Sequence, residues 1–131
     1  MKIRIYYHHT DCGGVVYYAN YLNFLEEART EFFEKMGVSI KELTRQGILF
    51  VVARQEIDYK SPAVYGDTLD IETWVSDFSK VRLNFVYTIK NQAGQLICEA
   101  RTVLVFVDKK LKPNPMPEHI REKLPALKRE R

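Results

Sequence analysis

The stretch YYHHTDCGGVVYYANY, residues 6–21, connects a strand-like run to the longest helical pattern in the sequence. It places one acid, Asp11, shortly before the flexible pair Gly13-Gly14. From residue 20 to residue 36 apolar side chains recur at helical spacing and glutamates occupy the other side, which predicts a long amphipathic helix. The first N–H groups of a helix have no acceptor inside it, and such donors favour negative charge. The stretch therefore predicts a carboxylate beside free backbone N–H groups, a layout suited to acyl chemistry.

The rest of the chain is predicted to change from helical to strand-like spacing. Residues 2–9 begin with polar and apolar alternation and are predicted to form a first strand. Ser39-Ile40-Lys41-Glu42 is a capping box, so a short second helix is expected from about 40 to 46. Four longer strands are predicted over residues 48–60, 67–77, 81–90 and 96–107. Pro113, Pro115 and Pro117 end the last strand, and 117–124 is expected to form a final helical turn or two.

The order of these elements predicts an α+β fold. Short turns make the last four strands antiparallel, and one apolar helix packed on one antiparallel sheet is an α+β domain. The helix stripe is predicted to be core rather than a cofactor site; it comprises Tyr21, Leu25, Ala28 and Phe32, with Leu22 and Phe24 beside it. A length of 131 residues fits one domain, 1–131, in which 117–131 is a short helix and tail.

Composition narrows the class of protein. Hydrophobic residues make up 46% of the chain and charged residues 28%, as is ordinary for a soluble globular protein. The formal net charge of +3 tolerates a phosphate-bearing ligand but is too small and too dispersed to predict nucleic-acid binding. Two cysteines make no disulfide framework, no signal peptide opens the chain, and no apolar run reaches the ~20 residues of a membrane span. We therefore expect a cytoplasmic protein without membrane insertion.

The pattern Tyr7-x-x-Thr10-Asp11-x-x-Gly14-Val15-Val16-x-x-x-x-Tyr21 resembles the signature of the 4-hydroxybenzoyl-CoA thioesterase-like branch of the hotdog-fold family. Within that branch the chain resembles the Tol–Pal-cluster acyl-CoA thioesterases most, and the likeness covers nearly the whole sequence. The resemblance implies a hotdog fold, in which a curved antiparallel sheet of about five strands wraps one long central helix. It also implies hydrolysis of the thioester of acyl-CoA, or of acyl carrier protein, to a free acid and a thiol. Coenzyme A is then part of the substrate, and no separate cofactor is expected.

The resemblance assigns catalytic roles to four residues of the opening stretch. Asp11 is expected to attack the thioester as a nucleophile or to deprotonate water as a general base, and both routes stay open. Gly14 lets the chain turn sharply beside a ligand, and the backbone N–H groups from Gly14 to Tyr18 are expected to be unpaired. The N–H of Tyr18 is expected to polarise the thioester carbonyl. Tyr7 could orient the carboxylate or simply pack, and Asp11 could instead only cap the following turn.

One position departs from the Tol–Pal-cluster pattern. Those proteins usually carry a histidine where this chain has Tyr18, whereas tyrosine matches the hydroxybenzoyl-CoA enzymes. The acyl group is therefore left open, with aliphatic chains favoured over aromatic ones. The depth of its pocket is expected to depend on how Phe24, Phe50, Tyr59 and Trp74 pack.

Cations for the phosphates of coenzyme A are expected at two places. Ser79, Lys80 and Arg82 lie at a strand junction, where relatives bind the nucleotide end, often from the partner subunit. Lys60 is the second candidate, and for each of these residues a solvated surface group is the alternative. The apolar strand at 48–53 would be an open edge by itself, and in the family the equivalent strand pairs with its copy. A homodimer with one continuous sheet is therefore predicted, and such dimers often stack into homotetramers.

The remaining reactive residues suggest alternatives. His8, His9 and Cys12 invite a metal site beside Asp11, but neighbours on a strand point to opposite faces and no metal-binding spacing occurs, so no metal is expected. Cys12 is expected to be a small packed thiol. Glu27 and Glu31 are the reserve catalytic acids, and are otherwise expected to be solvated or paired with Arg29 and Lys35. A dehydratase is disfavoured because the helix has no histidine. A non-catalytic acyl-CoA-binding protein, or a scaffold of envelope or phospholipid synthesis, remains the alternative function.

Overall fold

The computed structural model describes residues 1–129. A short strand, β1 (Lys2–Arg4), is followed by a 3₁₀ turn (Tyr7–His9), the long helix α1 (Asn20–Lys35) and the short helix α2 (Ile40–Arg45). Four long strands come next: β2 (Leu49–Tyr59), β3 (Thr68–Phe78), β4 (Arg82–Lys90) and β5 (Leu96–Val107). Two short helices follow, α3 (Glu118–Arg121) and α4 (Leu124–Leu127). The predicted order of elements is confirmed, and the last residues of the predicted tail, 130–131, lie outside the described residues. No helix within residues 1–129 is long and apolar enough to cross a membrane.

The five strands form one antiparallel sheet in the order β1-β3-β4-β5-β2. The longest ladder joins β2 to β5, from Leu49 opposite Val107 to Tyr59 opposite Cys98, with one bulge that bends β2. The sheet curls around α1, so the predicted α+β class with a curved five-stranded sheet is confirmed. Strand β2 lies at one edge, and its outer side pairs with no strand among the described residues.

The hydrophobic core lies between α1 and the sheet. Phe33 of α1 is fully buried, and its ring packs 5.7 Å from the ring of Phe85 on β4 and 5.5 Å from that of Phe50 on β2. Most of the predicted helix stripe is buried with it, namely Tyr21, Phe24, Leu25 and Ala28. Burial of apolar surface contributes about 25 cal/mol per Å², so this face fixes α1 on the sheet. The helix therefore presents its first turn to one end of the sheet and its last turns to the other.

Two positions of α1 differ from the predicted stripe. Leu22, expected in the core, is 46% exposed. Arg29, expected on the solvated side, is only 9% exposed and donates hydrogen bonds to Tyr87 Oη (3.1 Å) and Thr102 Oγ1 (3.3 Å). Helical spacing locates an apolar face but does not show how far a curved sheet reaches around the helix. The sheet covers the side of α1 that carries Arg29, and Leu22 is left in solvent.

The predicted first strand is shorter than expected. Only residues 2–4 pair with the sheet, opposite Thr68–Asp70 of β3. At Tyr6 the chain turns away: its N–H donates to Nδ1 of His9 at 2.9 Å, and its carbonyl accepts the N–H of His9 at 3.0 Å. These local bonds satisfy the backbone groups that a longer strand would have paired with β3. The prediction of a strand through residue 9 is therefore wrong.

The C-terminal segment lies along β3. The N–H of Arg129 donates to the carbonyl of Val75 at 2.8 Å, and Lys128 forms a parallel bridge with the same residue. The guanidinium of Arg129 stacks over the indole of Trp74 at 3.9 Å, which helps to leave that side chain only 7% exposed. The segment beyond the predicted final turn is thus a packed part of the fold.

Candidate active site

The segment between the 3₁₀ turn and α1 folds into a tight turn with Asp11 at its base. The N–H of Asp11 donates to the carbonyl of Val15 at 2.9 Å, and the N–H of Gly14 returns to the carbonyl of Asp11 at 3.1 Å. Gly14 has a φ of +81°, a conformation that residues with a side chain rarely adopt. The sharp turn predicted at Gly14 is therefore observed, and it fixes the backbone of Asp11.

One oxygen of the Asp11 carboxylate is anchored and the other is free. Oδ1 accepts the N–H of Gly13 at 2.8 Å, which is the bond expected of a capping aspartate. A methyl group added to Gly13 would lie 3.2 Å from Oδ1, so the glycine also leaves room for this oxygen. Within residues 1–129 Oδ2 accepts no hydrogen bond, and the side chain is exposed in the protomer. Asp11 thus caps its turn and still presents one unoccupied oxygen.

Asp11 lines a cleft of about 360 Å³ between the start of α1 and the end of β2. The hydroxyl of Tyr59, the last residue of β2, donates to the carbonyl of Tyr18 at 3.2 Å, and its ring packs 5.5 Å from that of Tyr21. These contacts join the strand end to the segment that enters the helix. The other lining residues are Val15, Val16, Lys60, Ser61 and Pro62. Apolar and aromatic walls therefore surround one carboxylate and one ammonium group.

The free backbone donors at the helix start are fewer than predicted. The N–H groups of Gly14, Val16 and Tyr17 donate to other backbone carbonyls at 3.1, 2.8 and 2.9 Å. The prediction of an unpaired run from Gly14 to Tyr18 is therefore wrong at these three positions. The N–H of Tyr18 donates to no acceptor within residues 1–129, and α1 itself begins at Asn20. The cleft thus brings Asp11 and Tyr18 to one site.

Asn20 positions the start of α1 without capping it. The residue before the helix is Ala19, which makes no side-chain cap. The side-chain amide of Asn20 instead donates to the carbonyl of His9 at 2.8 Å, and the His9 ring meets the edge of Phe24 at 5.3 Å. The first turn of α1 is thereby tied to the 3₁₀ turn that precedes Asp11.

Tyr21 and Tyr59 of the cleft, and the neighbouring Tyr17, stay protonated at neutral pH. Burial raises the pKa of Tyr21 and of Tyr59 above the ordinary value of about 10. A side-chain hydrogen bond with Tyr18 raises the pKa of Tyr17. These hydroxyls are therefore hydrogen-bond donors rather than bases, and Asp11 is the carboxylate of the cleft.

Tyr7 lies outside the cleft in the protomer. Its side chain is 80% exposed, and its ring makes an edge contact with Tyr65 at 6.3 Å. Its hydroxyl has no hydrogen-bond partner within residues 1–129, so it does not bind the Asp11 carboxylate there. The 3₁₀ turn, which a strand prediction could not anticipate, rotates Tyr7 away from Asp11.

The candidate cations for coenzyme A lie at opposite ends of the sheet. Lys60 lines the cleft, whereas Ser79, Lys80 and Arg82 form the β3–β4 turn, where the Ser79 hydroxyl accepts the Arg82 N–H at 3.1 Å. Tyr59 is opposite Cys98 of β5 and Arg82 is opposite Val105. Seven residues of strand separate these positions, or roughly 23 Å at 3.3 Å per residue. One protomer therefore does not bring the β3–β4 turn to its own Asp11.

The histidines are closer together than the strand prediction implied. The rings of His8 and His9 lie 4.1 Å apart on the 3₁₀ turn, and Nδ1 of His9 is occupied by the N–H of Tyr6. The expectation that they point to opposite faces is therefore wrong. No group of three His, Cys, Asp or Glu side chains within residues 1–129 could hold a metal ion. Cys12, expected to be packed, is exposed.

The helix acids lie away from the cleft. Glu27 and Glu31 are exposed on α1, and partial burial together with neighbouring carboxylates raises the pKa of Glu27. Neither forms an ion pair with Arg29 or Lys35 within the described residues, so of the two expected alternatives the solvated face is the one observed. The carboxylate that lines the cleft is that of Asp11.

Arg29 belongs to a buried network that sequence spacing missed. The hydroxyl of Tyr87 donates to Thr102 Oγ1 at 2.8 Å, and the Thr102 hydroxyl donates to Oε1 of Gln55 on β2 at 2.6 Å. Arg29 donates to both hydroxyls and has no acid partner among residues 1–129. The network connects the middle of α1 to the edge strand β2. An arginine in a glutamate-rich helix gives no sequence signal for this role.

Among the four residues expected to set the depth of the acyl pocket, Tyr59 alone lines the cleft. Phe24 and Phe50 pack into the core beside α1, and Trp74 lies on β3 under the C-terminal segment. Three of the four residues therefore do not line the cleft within one protomer.

Comparison with known proteins agrees with this architecture. Residues 6–124 match the model of the thioesterase-like superfamily. The chain is 38% identical over 119 residues to the acyl-CoA thioester hydrolase YbgC of Escherichia coli O6:H1, covering 90% of this chain and 89% of that protein. It is 35% identical over 108 residues to YneP of Bacillus subtilis, a putative acyl-CoA thioesterase, covering 82% and 78%. Slr0204 from Synechocystis, a 1,4-dihydroxy-2-naphthoyl-CoA thioesterase, has a TM-score of 0.90 and 25% identity over 97% of this chain and 95% of its own. The predicted hotdog fold is confirmed, and the chain belongs to the thioesterase-like superfamily.

Proposed function

We propose that this protein hydrolyses acyl-CoA to a free carboxylic acid and coenzyme A in the cleft that contains Asp11. One observation carries the proposal: Asp11, with one free carboxylate oxygen, and Tyr18, whose backbone N–H has no acceptor within residues 1–129, line the same cleft. The names of the relatives support the same reaction class. In this proposal the Tyr18 N–H binds the carbonyl oxygen of the thioester and stabilises the negative charge that grows there.

Two routes from Asp11 to the products remain in the proposal. As a general base, Oδ2 takes a proton from water, the hydroxide attacks the acyl carbon, and the thiolate of coenzyme A leaves and takes up the proton. As a nucleophile, the carboxylate attacks the acyl carbon directly and expels the thiolate, and water then hydrolyses the mixed anhydride. Both routes need the same carbonyl donor. Label in Asp11 after a single turnover in ¹⁸O-labelled water would establish the second route, whereas label in the released acid alone fits the first route and also attack of water on the acyl carbon of the anhydride.

A homodimer through β2 completes the site in this proposal. Val51 and Val52 are 40% and 50% exposed on the edge strand, and pairing with a second copy would bury them and continue the sheet. Antiparallel pairing places the end of β2 at residue 59 beside the partner's end at residue 49. The β3–β4 turn belongs to the residue-49 end, since Leu49 and Arg82 lie opposite Val107 and Val105 of β5.

The same pairing assigns the phosphate cations. Lys80 and Arg82 of the partner subunit, with Ser79 beside them, approach the cleft from one side, and Lys60 contributes from the other. Substrate could also arrive on acyl carrier protein, whose thioester presents the same atoms to Asp11. The acyl group is aliphatic in our preferred version of the proposal, although an aromatic group would suit the tyrosine-lined cleft.

A second candidate function is acyl-CoA binding without hydrolysis, as in a scaffold of envelope or phospholipid synthesis. The hydrogen bond from Gly13 to Asp11 favours it, because a carboxylate that only caps a turn needs no chemistry. Asp11→Asn separates the two functions, since an asparagine oxygen can accept the same bond while losing basicity and nucleophilicity.

The test is release of coenzyme A from a panel of acyl-CoA esters, followed with a thiol reagent. We expect Asp11→Asn to lower the rate by about 10²–10⁴-fold, the usual contribution of a general base. Asp70→Asn, the same chemical change at an exposed residue of β3, is the matched control and should keep the wild-type rate. Equal rates for wild type and Asp11→Asn would remove Asp11 from the mechanism, and no release from any ester would favour the binding protein.

A further inference from the structure

A second cavity, of about 600 Å³, lies at the other end of α1 and is larger than the Asp11 cleft. It is enclosed by the second half of α1, the inner residues of β3 and helix α4; we call it the α1–β3 cavity. Its apolar walls are formed by Ala28, Phe32, Met36, Ile71, Ala126 and Leu127. Protein interiors hold few voids larger than a water molecule, whereas small-molecule sites measure roughly 300–1,000 Å³. The cavity therefore has the size and lining of a ligand site.

The cavity is separate from the cleft used in the proposed hydrolysis. The two share no lining residue. The cleft lies beside the first turn of α1 and the edge strand β2, whereas the cavity lies beside β3, with β4 and β5 between those strands. Helix α1 has 16 residues and is about 24 Å long. A ligand in the cavity would therefore not reach Asp11.

The charged groups that line the cavity are distributed unevenly, and cations outnumber acids among them. Lys35, Lys123 and the N-terminal ammonium of Met1 belong to its lining, and Glu31 is the one acid there. The Met1 ammonium donates to the carbonyl of Ile71 at 2.9 Å and lies 3.7 Å from the carboxylate of Asp70. Lys123 donates to the carbonyl of Met36 at the end of α1, whereas Lys35 makes no hydrogen bond or ion pair within residues 1–129. The side of Glu31 adjoins a groove that also contains other glutamates of the helix. Lys35 is thus the ammonium of the lining that has no partner within residues 1–129, and it offers an anionic head group its binding position.

The outer wall of the cavity is held in place by the chain that follows it. Lys128 lies 3.8 Å from the carboxylate of Asp77, and Arg129 pairs with Glu72 at 2.5 Å and covers Trp74. Leu127, immediately before these residues, forms part of the apolar wall. Anchoring of residues 128–129 on β3 keeps α4 from collapsing onto α1.

We propose that the α1–β3 cavity binds the hydrocarbon chain of a free, single-chain fatty carboxylate, with its carboxylate at Lys35 and its tail between Phe32, Ile71 and Leu127. Apolar walls select the chain, and the unpaired ammonium at the rim selects the anionic head. The single cavity favours one chain per protomer rather than a two-chain membrane lipid. This inference does not depend on the proposed hydrolysis, because it uses none of the residues of the Asp11 cleft.

The experiment is isothermal titration calorimetry of the full chain with four ligands: decanoate, octanoate, butanoate and decan-1-ol. We expect decanoate to bind with one site per protomer, octanoate to bind more weakly by about fourfold per methylene removed, and butanoate not to bind measurably. Ala126→Trp fills the cavity from an exposed position of α4 and should abolish binding. Lys35→Glu should weaken decanoate by about tenfold and leave decan-1-ol unchanged. Lys41→Glu, the same change on α2 outside the cavity, is the matched control and should bind decanoate as wild type does.

Two further measurements separate this site from the hydrolytic one. Asp11→Asn should bind decanoate with wild-type affinity, and Ala126→Trp should release coenzyme A at the wild-type rate with an unchanged thermal unfolding midpoint. The proposal is overturned if wild type shows no saturable binding of decanoate, or if folded Ala126→Trp binds it normally. It is also overturned if Lys35→Glu weakens the alcohol and the acid equally. Absence of binding, together with a change of oligomeric state in Ala126→Trp, would instead identify the cavity as a contact between copies of this chain.

Discussion

The two ends of α1 differ in how the rest of the chain covers them. At its first turn the chain leaves Asp11 and Tyr18 exposed in a cleft beside the end of β2, whose outer side pairs with no strand within residues 1–129. At its last turns the chain covers its own helix with α4 and anchors that cover on β3 through Arg129. Within one protomer α4 therefore lines the α1–β3 cavity, whereas no strand within residues 1–129 pairs with the β2 edge beside the Asp11 cleft. In our proposal a second copy completes the hydrolytic site, whereas the cavity is formed within one protomer.

The largest expected effect comes from disrupting the pairing of the edge strand β2. In our proposal the Asp11 cleft depends on that pairing and the α1–β3 cavity does not. Val52→Glu places like charges near each other where two copies of β2 would pair, and an edge with inward charge resists pairing. We expect a monomer whose rate of acyl-CoA hydrolysis is lower by about 10²-fold or more, because the partner no longer positions the substrate. Decanoate binding should be unchanged.

Light scattering after size exclusion, run with the hydrolysis assay, measures both quantities. Lys41→Glu on exposed α2 serves as the control for added negative charge. Thr88→Glu would not be an equivalent control, because it places the charge on a central strand. A monomeric wild type, or a monomeric variant with full activity, would contradict the dependence of the cleft on β2. A mass of four protomers for wild type would show that dimers stack further.

The buried network at the middle of α1 should give the next largest effect. Thr102→Val keeps the shape of a fully buried side chain but leaves Tyr87, Arg29 and Gln55 without their shared hydroxyl. We expect the free energy of unfolding to fall by about 1–3 kcal/mol, the cost of leaving buried polar groups unsatisfied. Urea unfolding followed by tryptophan fluorescence measures it. Thr44→Val on the exposed side of α2 is the matched control, and an equal loss in both variants would show that the network adds nothing.

A smaller effect is expected from adding one methyl group beside the carboxylate. Gly13→Ala places a carbon 3.2 Å from Oδ1 of Asp11, so the carboxylate must shift by a few tenths of an ångström. We expect hydrolysis to slow by about tenfold with little change in stability, because misplaced catalytic groups lose rate. Cys12→Ala, at the exposed residue before Gly13, adds no atom near Oδ1 and controls for a change of residue in the same turn. An unchanged rate in Gly13→Ala would argue against a reacting Asp11.

The smallest expected effect is a pH dependence at the 3₁₀ turn. Partial burial, and then the neighbouring His8, lower the pKa of His9 below the ordinary value of about 6.5. The unfolded chain therefore binds the proton first as pH falls through that range, so this residue makes stability fall as pH drops and recover as pH rises. Protonation would also break the bond from Tyr6 to Nδ1. His9→Asn should show a shallower loss of melting temperature between pH 7 and pH 5 than wild type.

The matched control for this measurement is His119→Asn, at an exposed histidine of α3. It should keep the wild-type slope. A His9→Asn variant with the same slope as wild type would show that the 3₁₀ turn does not sense pH.

The sequence predicted the strands and the long helix because apolar side chains repeat every two residues in the strands and every 3.6 residues in the helix. This spacing can be read from a short stretch of sequence. The sequence also placed Asp11 and Tyr18 in one site, although only by resemblance to a family. The strand prediction failed at Tyr6, because the side chain of His9 accepts the backbone N–H that a strand would have used. The helix prediction failed at Arg29, because the reach of the curved sheet around a helix is not encoded in helical spacing.

By itself the sequence determined the element order, the antiparallel sheet and the glycine turn that presents Asp11. These depend on local periodicity, on turn chemistry and on a positive φ at Gly14. Only the tertiary structure decided that the N–H of Tyr18 stays free while Gly14, Val16 and Tyr17 are paired, and that residues 124–129 return to wall a cavity on β3. Both outcomes depend on contacts between segments distant in the chain. Packing and hydrogen-bond geometry in three dimensions determine which of these contacts form. No local sequence pattern predicts them.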